Sequence, residues 1–278
     1  MKCLIRDIPV HYVEYGEGKP VLNIHGFGPD NRMMSGCFEP IFEQTQGYRR
    51  IYLDLPGFGH TPPATWIHNS DDMLDMLCEF VDTIIGCEEF LLTGCSYGGY
   101  LSLGLIYKMR ERIDGVFLLV PLTDSVEIVE KSGNLPQKQN LWQSEQLASI
   151  EKNLGLNGYL NMAVVATPEM YENWQRDIQL GLDIADKEIL SNPSIMDYSY
   201  ELEESLRVIK FDKPSCILSG RQDGETGYVK PYELVERFPR ATFAALDCAG
   251  HILHLDNEPL FQQLVKDWIW RVELSREA

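Results

Sequence analysis

The chain has 278 residues, 44% apolar and 10% aromatic, enough for one large α/β domain or two small ones and too apolar for disorder to be the default. Against 24 Lys and Arg stand 42 Asp and Glu, a formal charge of −18, so neither nucleic acid nor an anionic membrane surface is an expected partner. Seven scattered cysteines form no C-x-x-C pair, the charged N-terminus lacks a signal-peptide core, and the longest apolar stretch (116–122) is too short to cross a bilayer, so a soluble cytoplasmic protein is expected.

Residues 2–6 and 10–15 are short and rich in β-formers, and they predict an antiparallel hairpin or meander. The pattern then alternates: strands over 20–25, 49–53, 89–93 and 115–120 interleave with helices over 33–46, 70–85 and 97–112. Ser70 is the expected N-cap of the second helix, with Asp71 and Asp72 in its first turn. Strands that lack period-two polarity and alternate with helices indicate a parallel sheet covered on both faces. From about 123 to 210 the alternation stops. Helices are expected over 141–154, over 168–182 with Thr167 as N-cap and Pro168 at N1, and from Ser194 to 206, with no strand among them. After Pro214 the β pattern returns at 215–219 and 242–246, with helices near 229–237 and 259–273. A helical block between two strands of one sheet reads as a lid over the sheet's carboxyl edge. The chain therefore divides into a first core part (1–122), a helical cap (123–211) and a second core part (212–278).

Gly94-Cys95-Ser96-Tyr97-Gly98 matches G-x-S-x-G between an apolar strand and a helix, the setting of a nucleophile elbow. A serine in such a turn needs small neighbours two residues either way, which Gly94 and Gly98 supply, and the helix N-terminus favours negative charge there. His25-Gly26-Phe27-Gly28 ends another strand. The backbone N–H groups of Phe27 and Tyr97 are the proposed oxyanion donors for acyl transfer, and His25 is expected to bond to its own loop. His251 follows the last strand and is the candidate base, with His254 as competitor; His11, His60 and His68 lie before the elbow, and His60 could line the mouth. Asp223 follows the strand at 215–219 and fits the order Ser, Asp, His, with Asp124 as the alternative seat. Asp54-Leu55-Pro56-Gly57-Phe58-Gly59 reads as a structural turn. No His/Cys/Asp/Glu cluster has metal-ligand spacing and no G-x-G-x-x-G follows a strand, so no metal or other cofactor is expected.

Together HGFG at 25–28, DLPGFGHT at 54–61, GCSYGG at 94–99, SGRQD at 219–223 and AGH at 249–251 resemble the α/β-hydrolase superfamily over nearly the whole chain. The likeness is to the capped branch of carboxylesterases, C–C bond hydrolases, haloperoxidase-like enzymes and proline iminopeptidases. It implies an eight-stranded, mostly parallel sheet with a helical cap after the sixth strand, and it favours His251 over His254. Serine at 96 departs from the dehalogenase and epoxide hydrolase branches, which use an aspartate nucleophile. Cys95 departs from the GGSWGG-like elbow of iminopeptidases. The expected function is cleavage of a small ester through an acyl-enzyme on Ser96, Asp223 and His251. The alternatives are an amidase or iminopeptidase, a C–C bond hydrolase, or a non-catalytic receptor on the same fold. Block 123–210 carries 15 acidic and 7 basic residues, which could hold a substrate's amino group or simply form a solvated face. The acyl and alcohol groups and the oligomeric state are not legible.

Overall fold

The computed structural model describes residues 1–125, 135–137, 139–147 and 157–277. In chain order its first half runs β1 (Lys2–Ile5), β2 (Ile8–Tyr15), β3 (Lys19–Ile24), α1 (Asn31–Phe42), β4 (Tyr48–Leu53), α2 (Ser70–Ile84), β5 (Phe90–Cys95), α3 (Tyr97–Met109) and β6 (Ile113–Leu119). Then come β7 (Trp142–Gln143), α4 (Asn157–Leu160), β8 (Val165–Ala166), α5 (Pro168–Trp174), α6 (Leu180–Ile184), α7 (Lys187–Leu190) and α8 (Tyr200–Leu206). The chain ends with β9 (Ser215–Gly220), α9 (Val229–Glu233), β10 (Ala241–Leu246), α10 (Leu253–Asp256) and α11 (Glu258–Arg276).

Eight strands form one sheet in the order β1-β2-β4-β3-β5-β6-β9-β10. The β1–β2 and β2–β4 pairs are antiparallel and all the others parallel. This is the α/β-hydrolase fold. Because side chains alternate across a strand, a fully apolar strand feeds two layers at once. On β5, Leu92 joins the core under α2 and α3 with Leu77, Phe80 and Leu103, while Leu91 joins the opposite core with Phe38, Phe117 and Trp268. Trp268 of α11 is fully buried, and its indole N–H donates to the Pro214 carbonyl at 3.1 Å, which ties the last helix to the start of β9.

Most expected elements lie within a few residues of their predicted bounds, and three differ in substance. The block between β6 and β9 contains a strand pair, β7 alongside β8, where none was expected. A two-residue ladder leaves no periodicity to read. It also occupies the start of the helix expected over 141–154: residues 145–147 are helical, and 148–154 lie outside the described residues. The N-cap of α2 is Asn69, whose side chain accepts from the Asp72 N–H at 3.1 Å. Ser70 is instead buried, with its hydroxyl 2.9 Å from that of Tyr97. The helix expected from Ser194 is only a 3-10 turn (Pro193–Met196); α8 begins after a break at Ser199, whose N–H and hydroxyl are held by Asp71. In both helices a long-range partner outweighs the local capping preference. Thr167 does cap α5, accepting from the Met170 N–H at 3.1 Å. Among the described residues no helix is long and apolar enough to cross a membrane.

Candidate active site

β5 turns into α3 within a single residue. Ser96 occupies that turn at φ 53° and ψ −116°, a left-handed backbone that costs a non-glycine residue about 1–3 kcal/mol. The surrounding backbone fixes it there. The Ser96 N–H donates to the Leu119 carbonyl at 3.0 Å, and its own carbonyl accepts from the Gly99, Tyr100 and Leu122 amides. A Cβ at Gly94 would overlap the Gly98 carbonyl and the Ser102 hydroxyl; one at Gly98 would overlap the carbonyls of Ile24 and His25. The corner is thus pressed against the end of β3, and the Ser96 side chain stands at the carboxyl edge of the sheet.

His251 arrives on the loop after β10, from 155 residues away in sequence. Its Nε2 lies 3.0 Å from the Ser96 Oγ, and its Nδ1 lies 3.0 and 3.2 Å from the two oxygens of Asp223. Since an ionised carboxylate only accepts, Nδ1 carries a proton and the Nε2 lone pair faces the serine hydroxyl. Asp223 is fully buried just past β9. It accepts from the Glu225 amide at 2.8 Å, the Thr226 amide at 3.1 Å and the Thr226 hydroxyl at 2.9 Å. Burial pushes its carboxyl up, but the imidazole and these amides outweigh that and hold it below the usual aspartate value.

Two supports of this arrangement escaped the sequence reading. The Thr226 hydroxyl also lies 3.1 Å from the Val120 carbonyl, so its one proton is shared between that oxygen and Asp223 and links the loops after β9 and β6. Val120 itself has φ 40°, an outlier for a β-branched residue, held by its N–H bond to Leu218 at 2.7 Å. The only local signal was the Asp-x-x-Thr spacing, which suits a side chain that caps the backbone two or three residues on.

The loop after β3 runs beside the serine: a Cβ built on Gly26 would sit 3.3 Å from that of Ser96. The amides of Phe27 and Tyr97 have no acceptor among the described residues, and both residues line the cavity that contains Ser96. His25 bonds within its loop, as expected. Its Nδ1 is 2.7 Å from the Gly26 carbonyl, and its Nε2 accepts from the Leu55 amide at 2.9 Å. Burial lowers its pKa and keeps the ring neutral. Asp54 organises the turn after β4, taking the amides of Asn31 and His60 and the ring of His11.

The other candidates stand elsewhere. His254 is buried against Phe261, its ring nitrogens have no hydrogen-bond partner among the described residues, and burial pushes its pKa down to about 3. His60 is exposed and packs edge-on against His11, outside the residues lining the Ser96 cavity, and His68 is exposed. Asp124 is paired with Arg207 and Lys230 at 3.3 and 3.5 Å. The Cys95 thiol lies in the core, where burial raises its pKa and suppresses the thiolate.

Ser96 opens into a cavity of about 330 Å³ whose walls include Phe27, Leu122, Met162 and Met196. A second compartment of about 240 Å³, lined by Asn140, Asn161, Gln222 and Glu225, meets the first at His251. A wider groove of about 740 Å³ lies between the end of α3 and the end of α8, and Ser96 does not line it.

Comparison with known proteins agrees with this architecture. Residues 19–258 match the model of the alpha/beta hydrolase fold family. The chain is 25% identical to a pimeloyl-[acyl-carrier protein] methyl ester esterase of Legionella pneumophila, covering 94% of this chain and 99% of that one. It is 24% identical to a 2-hydroxy-6-oxononadienedioate/2-hydroxy-6-oxononatrienedioate hydrolase of Paraburkholderia phymatum, covering 95% and 91%. Among solved structures, an alpha/beta superfamily hydrolase from Oenococcus oeni superposes with a TM-score of 0.87 at 29% identity, covering 98% of this chain and 99% of that one. The chain belongs to the α/β-hydrolase family and is a hydrolase of that fold.

Proposed function

We propose that the protein is a serine hydrolase that cleaves a small carboxylic ester through an acyl-enzyme. The observation that carries this reading is the line from the Asp223 carboxylate through His251 to the Ser96 Oγ, with 3.0 Å at each step. As Ser96 attacks the ester carbonyl, its proton passes to His251 Nε2 and the Phe27 and Tyr97 amides receive the oxyanion. The alcohol leaves with that proton, the acyl group stays on Ser96, and His251 then deprotonates the water that releases the acid. Each proton transfer is carried by a side chain already in place.

The walls of the Ser96 cavity suit a short apolar acyl group, and the carboxamide-rich compartment beyond His251 suits a polar leaving group. In this reading residues 123–211 act as a cap, because Met162 and Met196 from that block face the serine. A cytoplasmic setting fits seven free cysteines, of which Cys87 and Cys248 are exposed. The test is Ser96→Ala with a short p-nitrophenyl ester. The variant should fold normally and lose about 10⁴–10⁶ in kcat; turnover like that of the wild type would remove Ser96 from the mechanism.

One observation favours a second reading, an amidase acting on a substrate with a free amine: Glu225, an acidic residue, lines both compartments. A proline p-nitroanilide hydrolysed faster than a neutral ester of similar size would select it.

A further inference from the structure

Asp256, at the end of α10, has no place in the proton transfers above, yet it is buried and its carboxylate is fully engaged. One oxygen accepts from the Gly250 amide at 2.8 Å, immediately before His251. The other accepts from the Val164 and Val165 amides, at 2.9 and 3.0 Å, at the start of β8. The two segments also touch directly: a Cβ at Gly250 would meet the Val164 side chain at 2.9 Å and the Met162 carbonyl at 3.2 Å. Met162 in turn lines the cavity with Ser96.

We infer that Asp256 is a positioning residue that locks the His251 loop to the Met162–Val165 wall of the cleft, so that the base and the substrate pocket hold or slip together. A charged acceptor is needed. Three N–H donors converge on two oxygens, and neither a carboxamide nor a protonated carboxyl can accept at both without presenting a donor to one of them. The geometry of the clamp is therefore sensitive to acid. Burial pushes the carboxyl up to about 6, helped by the charge of Asp223 and opposed by the three amides. Of the other titratable groups nearby, the Tyr159 hydroxyl of α4 interacts with it through charge, and His254 on its own turn is kept neutral by burial. Below about pH 6 the carboxyl gains a proton and sets an O–H against one of these N–H groups, so the His251 loop shifts relative to the Met162–Val165 wall while the protein stays closed and folded.

This inference rests on the serine mechanism proposed above, and its test is Asp256→Asn assayed on a short p-nitrophenyl ester across pH. The variant should stay folded and still be labelled at Ser96 by a fluorophosphonate. Its kcat should drop about 10²-fold near neutral pH, the scale of a misplaced catalytic group. The acid limb of kcat/KM should fall less steeply than that of the wild type, because one of two protonations is gone. Wild-type kcat, or a lowered kcat with an unchanged acid limb, overturns the inference. If the variant does not fold, amide chemical shifts of the wild type measured by NMR across pH decide. The Val164, Val165 and Gly250 amide resonances should shift together with a midpoint of about pH 6, and shifts that are absent or follow unrelated midpoints overturn it. Turnover surviving in Ser96→Ala would instead defeat the underlying mechanism, and that assay does not involve Asp256.

Discussion

At the scale of single residues the site depends on the Asp223 carboxylate staying ionised while fully buried. Five hydrogen-bond contacts do this, two to His251 and three to Glu225 and Thr226. Asparagine at 223 would keep the shape but could turn its NH₂ toward Nδ1, forcing the ring into the tautomer that points an N–H at Ser96. Asp223→Asn should therefore lose about 10⁴ in kcat with a lowered melting temperature but a still cooperative transition, measured on the same ester by steady-state kinetics and by thermal scanning. A variant within tenfold of wild type would show that the tautomer is not set from this side.

At the scale of elements the decisive contact is the β5–α3 corner against the end of β3. Gly98 has no space for a methyl group because the Ile24 and His25 carbonyls occupy it, and backbone cannot move aside as a flexible side chain can. Gly98→Ala should cost about 1–3 kcal/mol in urea unfolding and also lower kcat, since the displaced helix carries both Ser96 and the Tyr97 amide. A stable, fully active Gly98→Ala would mean that the corner is looser than this packing requires. The same close fit explains the elbow's legibility in sequence: a backbone that must pass so near another can be made with few residue types.

At the scale of the whole molecule the formal charge of −18 and a few buried carboxylates act on stability in different pH ranges. Protonating exposed acids relieves self-repulsion as pH falls toward about 5. Asp54 and Asp223 act oppositely: their folded pKa values are depressed, so they contribute stability above the unfolded value of about 4 and lose it as pH falls through that region. Asp256, raised to about 6, has the reverse sign; its contribution is full below about pH 4 and lost as pH rises toward 6. Urea midpoints measured across pH should therefore drop steeply below about pH 4. A midpoint still flat at about pH 3 would contradict depressed values at Asp54 and Asp223.

The sequence by itself determined the parallel α/β sheet, the elbow at Ser96 and the order of the site residues. Continuous apolar strands, Gly at 94 and 98, and Asp and His just past late strands are local consequences of building such a sheet. The family resemblance favoured His251 over His254, but only the tertiary structure shows the physical distinction between them, since the two sit three residues apart and are separated by which way the chain turns after β10. The same holds for Asn69 in place of Ser70 as a cap, for the β7–β8 pair, and for the roles of Thr226 and Asp256. Each depends on a partner far away in the chain. A buried carboxylate that ties two loops together leaves no periodicity or spacing, because its bonds go to backbone amides that any residue can supply.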